Sequence, residues 1–282
     1  MTAATVVLKR GTTATTHQIS PLLELASNDG RVRRVSERIM AKKTDLREFR
    51  NQLFAWEALN SAHLRIPKPI RYVHGSVEGE NGIMIMEFLD GRSWGEAGHF
   101  NESCTNERVH KAIQYMHKAT LDTTGRQVFQ GPLGGGGYAE SFPWGRGQKK
   151  VEATFTSLQD VEDCMRKRLA SYAKRNKQHD TRSTDFLGHR LAICHGDLAP
   201  RNILILADGQ VALLDWEWMC IYPAIFDLAC LSMLDMEYPH SKQKLLIECL
   251  KSDACLERSR NDVEEDMKTL RVVDRESVRY HF

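Results

Sequence analysis

The chain has 282 residues, with 39 Lys and Arg against 37 Asp and Glu, so its formal charge of +2 excludes the strongly basic balance of a nucleic-acid or membrane-surface binder. With 41% hydrophobic and 27% charged residues it can bury a full core, and its size suits one large domain or two small ones. The opening MTAATVVLKRGTTATT holds only the apolar run Val6-Val7-Leu8, too short for a signal peptide, and no later stretch approaches the ~20 apolar residues of a membrane span. A cytoplasmic protein without membrane partners is expected. Seven cysteines are scattered singly with no C-x-x-C spacing, which argues for reduced thiols rather than disulfides or zinc ligands.

From Val32 to Lys43 apolar and polar residues loosely alternate, which predicts strands with lysines at the exit. Thr44 can cap a following helix in which Leu46, Phe49, Leu53 and Trp56 share one face, and Pro67 and Pro69 lie beyond its end. Gly82 to Gly91 reads as a buried strand ending in an Asp90-Gly91 turn, and the boundary between residues 1–90 and 91–282 is placed there. Asn106 is expected to cap a helix bearing Val109, Ile113, Met116 and Ala119. Ser157-x-x-Asp160 is expected to open another, with Leu158, Val161, Met165, Leu169 and Tyr172 inward. The glycine-rich segment Gly131 to Gly137 and the polar stretch Lys174 to Thr184 read as loops.

The chemistry concentrates between Ala192 and Glu217. Ile203 to Leu206 and Val211 to Leu214 are apolar, strand-like runs around Asp208-Gly209, a dipeptide suited to a two-residue hairpin turn. A tight turn would put Asn202 opposite Asp215, with both side chains on one face. An amide oxygen and a carboxylate converging on one point suit Mg²⁺, which takes few protein ligands and completes its octahedron with water and phosphate oxygens. Asp197 lies on the loop entering the hairpin, where it can orient an acceptor hydroxyl and receive its proton. Base and metal ligands at one end of a two-stranded unit form a sufficient minimum for phosphoryl transfer, which depends on positioning and charge neutralisation.

His195-Gly-Asp-Leu-Ala-Pro-Arg-Asn202 and Leu214-Asp-Trp-Glu217 resemble the catalytic and metal-binding motifs of the aminoglycoside phosphotransferase and choline kinase family. The resemblance implies a two-lobed α+β, protein-kinase-like fold, with a β-rich nucleotide-binding lobe over 1–90 and a mainly helical catalytic and acceptor-binding lobe over 91–282. It implies that Asp197 is the catalytic aspartate, that Asn202 and Asp215 hold Mg²⁺, that Glu217 stands at a second acidic position, and that Asp227 braces the catalytic loop. Ile39-Met-Ala-Lys42 is similar to the strand bearing the phosphate-binding lysine. Ile66-Pro-Lys-Pro69 resembles the entry to the next strand, and Met84 to Gly91 the hinge, with Met86, Glu87 and Phe88 meeting adenine. The nucleotide would be ATP or GTP. The acceptor would be a small molecule phosphorylated on a hydroxyl or amine. Gly131 to Gly137, with Trp144 and Phe155 to Leu169, resembles a stretch of fungal members of the family.

The lysine should pair with an acid on the following helix, yet the best alignment sets Gln52 there, leaving Glu48 and Glu57 as alternatives about a turn away. Ser27 to Arg31 supplies a single glycine where a flexible turn over the phosphates is expected. These departures keep a non-catalytic binding or scaffold protein as a second reading. A protein Ser/Thr kinase is a weaker third, because Ala199 replaces the usual lysine and Asp-Trp-Glu the usual Asp-Phe-Gly. Cys194, His110, His117 and Arg201 read as packing or solvated residues. The acidic residues Asp235, Glu237 and Asp262 to Asp266 raise a cationic acceptor as a hypothesis, beside the plainer reading of a solvated helix face.

Overall fold

A computed structural model describes residues 32–74, 82–96, 102–119, 131–132, 158–177, 190–237, 241–257 and 259–279. The segment Ser27 to Arg31, residue Ser157 and most of the glycine-rich loop lie outside them.

The first part is an antiparallel sheet in the order β1 (Val32–Arg34), β2 (Ile39–Thr44), β4 (Gly82–Glu87), β3 (Pro69–Val73), with helix α1 (Leu46–Leu59) inserted between β2 and β3. The cap of α1 is Asp45 rather than Thr44: the Asp45 carboxylate accepts from the Glu48 amide at 2.8 Å, while Thr44 stays in β2 paired with Gly82. A carboxylate next to the four free N–H groups of a helix start satisfies one of them and suits the positive end of the helix dipole. The apolar stripe Leu46, Phe49, Leu53, Trp56 is only half-buried. The fully buried face carries Glu48, Asn51 and Gln52 beside Ala55 and Leu59, an exception to the rule that polar residues stay outside.

Beyond the turn at Asp90, β5 (Gly91–Ser93) pairs with β8 (Ile203–Leu206), which pairs with β9 (Val211–Leu213). The hairpin is one residue out of the expected register, since Ile203 pairs with Leu213 and the Leu214 amide donates to the Asn202 carbonyl at 2.9 Å. The connection is the three-residue loop Ala207-Asp208-Gly209. It is closed by Leu206 and Gln210, with Gly209 in the left-handed region at φ 79, the usual three-residue alternative to a two-residue turn. A third small sheet orders β6 (Gly131–Pro132), β10 (Cys220–Pro223) and β7 (Leu191–Cys194).

Helices α2 (Glu102–Lys118), α3 (Leu158–Asn176), α4 (Ile225–Glu237), α5 (Ser241–Glu257) and α6 (Arg260–Arg279) make up the rest. Helix α2 begins before the expected cap. Asn106 sits inside it, where its side-chain oxygen accepts from the Trp94 indole at 3.0 Å. Helix α3 carries on to Asn176, through the start of the expected 174–184 loop, and buries Val161, Met165 and Leu169 against α6. One continuous core joins α1 to the helical part around the fully buried Trp94, Trp216, Tyr222 and Phe226. In the acidic run of α6, Glu264 and Glu265 pair with Lys251 and Lys268, and Asp266 is buried. The side chains of Asp235 and Glu237 lie outside the described set. No described helix is long and apolar enough to cross a membrane.

Candidate active site

The site forms where the four-stranded sheet, α1 and the β8–β9 hairpin meet. A cavity of about 380 Å³ there is lined by Met40 and Lys42 of β2, Glu48 and Gln52 of α1, Met86 to Leu89 at the end of β4, and Asn202, Leu204, Leu214 and Asp215 of the hairpin. Its volume is within the range of small-molecule and cofactor sites.

Lys42 and Lys43 point to opposite faces of β2, and only Lys42 enters the cleft. Its ammonium lies 2.5 Å from Glu48 and 3.0 Å from Asp215. Burial works against the charge, but the two carboxylates outweigh it and hold the Lys42 pKa above the ordinary lysine value. The second oxygen of Glu48 accepts from the Thr44 hydroxyl. Gln52 is therefore not the counterpart of the expected acid. Its amide donates to the Pro67 carbonyl at 2.8 Å and approaches the Met86 sulfur at 3.3 Å, tying α1 to the edge of the cleft, while Glu57 is exposed on the other side of the helix. The spacing Asp45-x-x-Glu48 at a helix start was the sequence signal for Glu48, because a capped first turn fixes which residues face the strand just left.

At the hinge the structure places Met86, Glu87 and Phe88 on the cavity wall. The Met86 side chain is buried. The Glu87 carboxylate turns to Arg65 at 3.0 Å and to the Lys68 amide at 3.2 Å, and the Phe88 ring lies under the Arg34 guanidinium at 4.0 Å. The Glu87 and Phe88 amides donate to the Lys68 and Arg38 carbonyls, each at 2.9 Å.

Asp215 follows β9 with φ 66 and ψ 68, an uncommon left-handed geometry for a residue other than glycine. That backbone turn re-aims its carboxylate into the cleft despite the shifted register, so Asn202 and Asp215 still line one cavity. Carboxylate oxygens of Glu48, Asp215 and Glu217 lie within 4.8 Å of one another. Burial, with Glu48 and Asp215 close by, pushes the Glu217 pKa up. Asn51, which the residue pattern did not single out, donates from its side chain to the Trp216 and Glu217 carbonyls at 3.1 Å each and docks α1 on the turn after Asp215. Hard oxygen donors at this density fit Mg²⁺ and would suit a soft metal poorly.

The loop 195–202 is held from several sides. Gly196 adopts φ +76, and a Cβ there would stand 2.2 Å from the Trp218 carbonyl oxygen, so the left-handed bend and the close approach both require glycine. The amides of His195 and Gly196 donate to the two oxygens of the buried Asp227, each at 2.9 Å, and His117 meets the same carboxylate at 3.0 Å. His195 accepts from the Asp197 amide at Nδ1 and donates from Nε2 to the Leu214 carbonyl, linking the loop to the hairpin. The Asp197 carboxylate is asymmetric. Oδ2 receives Arg201 at 2.6 Å and the Asn202 side chain at 3.0 Å, whereas Oδ1 is buried with no hydrogen-bond partner among the described residues. Arg201, which reads from sequence as a solvated loop arginine, is exposed and yet ion-paired to Asp197.

A β-rich part and a helical part joined at a strand-to-strand hinge, with a lysine, an asparagine and three carboxylates along the seam, define a two-lobed α+β fold of the protein-kinase-like type. Residues 21–248 match the Phosphotransferase enzyme family, APH, and the chain belongs to that family. Among solved structures it is similar to a thermostable mutant of the aminoglycoside phosphotransferase APH(4)-Ia in its apo form, at 14% identity over 90% of this chain and 88% of that one, with a TM-score of 0.57. Another structure of APH(4)-Ia is 12% identical over 93% and 99% of the two chains, with a TM-score of 0.51. The choline kinase LicA from Streptococcus pneumoniae is 17% identical over 87% and 81%, with a TM-score of 0.43. At these identities the likeness to APH(4)-Ia concerns the fold. No curated protein matches the chain.

Proposed function

We propose that this phosphotransferase moves the γ-phosphoryl group of ATP or GTP to a hydroxyl or amine of a small acceptor, with Asp197 as the base. The observation that carries the reading is the Asp197 carboxylate, clamped through Oδ2 by Arg201 and Asn202 while the buried Oδ1 has no partner among the described residues. A buried carboxylate oxygen without a donor is costly unless a ligand supplies one. An acceptor hydroxyl fits that role.

In this reading the nucleotide lies in the cavity, with adenine against Met86, Glu87 and Phe88 and its phosphates toward Lys42, whose charge Glu48 maintains. The proposed boundary between the nucleotide lobe and the acceptor lobe falls at Asp90-Gly91. Asn202 and Asp215 would hold Mg²⁺, which would supply neutralisation of the phosphate charge. The acceptor donates its proton to Asp197 Oδ1 as its oxygen or nitrogen attacks the γ-phosphorus in line. The bond from that phosphorus to the bridging oxygen breaks, and the nucleoside diphosphate leaves. Asp227 keeps the loop backbone in place through the His195 and Gly196 amides, so the base does not drift from the reacting atoms. A small polar molecule is proposed as the acceptor. The non-catalytic reading loses the motive that Gln52 supplied, because Glu48 pairs with the lysine.

The test is calorimetric titration with non-hydrolysable ATP and GTP analogues, with and without Mg²⁺, on the wild type and Asp215→Ala, followed by an acceptor screen with Asp197→Asn as control. Magnesium-dependent binding lost in Asp215→Ala, and turnover lowered by about 10²-fold or more in Asp197→Asn, are expected. Undiminished turnover in Asp197→Asn would sink the assignment of the base.

A further inference from the structure

A second cavity, of about 290 Å³, shares no lining residue with the cleft. It lies behind the catalytic loop, between the last turn of α2, the entry to β7, the start of α4 and the end of α5. Its floor is apolar, from Ala192, Ile225, Leu228 and Leu250, and the exposed Lys118 and Arg190 stand at its mouth. Arg190 donates to the Lys118 carbonyl at 2.7 Å, which holds its guanidinium at the C-terminal end of α2, and both residues line the cavity. Among the described residues Lys118 forms no ion pair. The one carboxylate on the wall, Asp253, is already engaged by His110 at 2.6 Å and Gln114 at 2.7 Å. The mouth is therefore cationic over an apolar interior, at a volume near the lower end of small-molecule sites.

One wall is His117, which meets Asp227 at 3.0 Å, and Asp227 in turn takes the His195 and Gly196 amides at 2.9 Å each. A ligand touching His117 is thus two hydrogen bonds from the backbone that carries Asp197. We propose that this cavity binds a small anion on a short apolar body, a carboxylate or a phosphate monoester, and that occupancy is felt at the catalytic loop through His117 and Asp227. The anion pairs with Lys118 and Arg190, and the apolar body lies on Leu228 and Leu250. A cation of the same shape is repelled at the mouth, which gives the site its selectivity.

The probes are hexanoate, hexyl phosphate and, as a charge-reversed control, hexylamine, each titrated into the full chain by calorimetry. In parallel, the His195 and Gly196 amide resonances are followed by NMR. Saturable binding of either anion is expected, weakened at least tenfold in the doubly substituted Lys118→Glu, Arg190→Glu protein and in Ala254→Phe, whose ring would occupy the cavity. The His195 and Gly196 amides should shift on binding, and nucleotide-analogue affinity should be unchanged in the charge-reversal variant. The tighter anion identifies the headgroup. Neither anion binding, hexylamine binding as well as hexanoate, or affinities untouched by the substitutions would overturn the site. Binding that leaves both amides unmoved would overturn the link to the loop. None of these readouts depends on turnover, so they stand apart from the proposed phosphoryl transfer.

Discussion

The Glu48 carboxylate receives the Lys42 ammonium at 2.5 Å across the junction of β2 and α1, and the same ammonium touches Asp215 at 3.0 Å on the far side of the cleft. One lysine therefore joins the sheet, the helix and the hairpin. Glu48 is buried, so its loss removes a charge-assisted bond with little water to replace it. Glu48→Gln is expected to weaken nucleotide-analogue binding by on the order of tenfold and to cost about 1.5–3 kcal/mol of stability. Gln52→Glu should not restore either, because that side chain faces the Pro67 carbonyl and would set an anion against it. Calorimetry and denaturant unfolding of both single variants and the double variant check this.

Arg201 fixes one oxygen of Asp197 at 2.6 Å, and the other is buried with no partner among the described residues. Arg201→Gln is expected to lower kcat on the order of tenfold through misplacement of the carboxylate, with nucleotide-analogue affinity unchanged. Arg201→Lys, which keeps the charge and loses the planar fork, should recover part of the rate. Steady-state kinetics with an acceptor found in the screen separate the two, and a change confined to KM would contradict the positioning role.

Two glycines with nearly the same backbone should respond differently to substitution. Gly196 has φ +76 and Gly209 φ +79, so alanine at either costs about 1–2 kcal/mol for the left-handed backbone. At Gly209 the added Cβ meets the Arg108 side chain, which can move away. At Gly196 it meets the Trp218 backbone, which cannot. Gly196→Ala should be the more destabilising and should distort the Asp197 loop, as denaturant midpoints and nucleotide-analogue titrations of the two variants would show.

Asp227 gives the fold a pH dependence of definite sign. Burial alone would raise its pKa, but His117 and the Gly196 and His195 amides outweigh it and hold the carboxyl below its ordinary value of 3.8. A folded-state value below the unfolded one means that the contribution is complete above about pH 4 and is lost as pH falls through the folded value. Asp227→Asn should be less stable at neutral pH and should lose stability less steeply on acidification below pH 4. Chemical denaturation at several pH values tests it, and parallel curves for wild type and variant would refute the linkage.

Chemical identity was legible wherever the relevant residues are close in sequence. The segment from His195 to Asn202 is eight residues long, and its carboxylate, turn and amide are related by local backbone geometry that a short window can express. The helical stripes of α2 and α3 were readable for the same reason, because their periods repeat within one element. The start of α1 was less so. Thr44 and Asp45 are both acceptable caps, and one residue's difference turns a helix by about 100° and changes which side chain faces Lys42.

By itself, the amino-acid sequence carried the motifs that resemble the family, the order of the chemical groups and the division into a sheet-rich and a helical part, since each of these lies in short stretches of the chain. The tertiary structure decided which acid meets Lys42, that Asp215 reaches the cleft through a left-handed backbone although its hairpin is shifted by one residue, and that Asp227, His117 and the 195–202 loop form one network. Those relations join residues far apart in the chain. Their geometry depends on helix rotation, strand register and core packing acting together, and no local window contains all three.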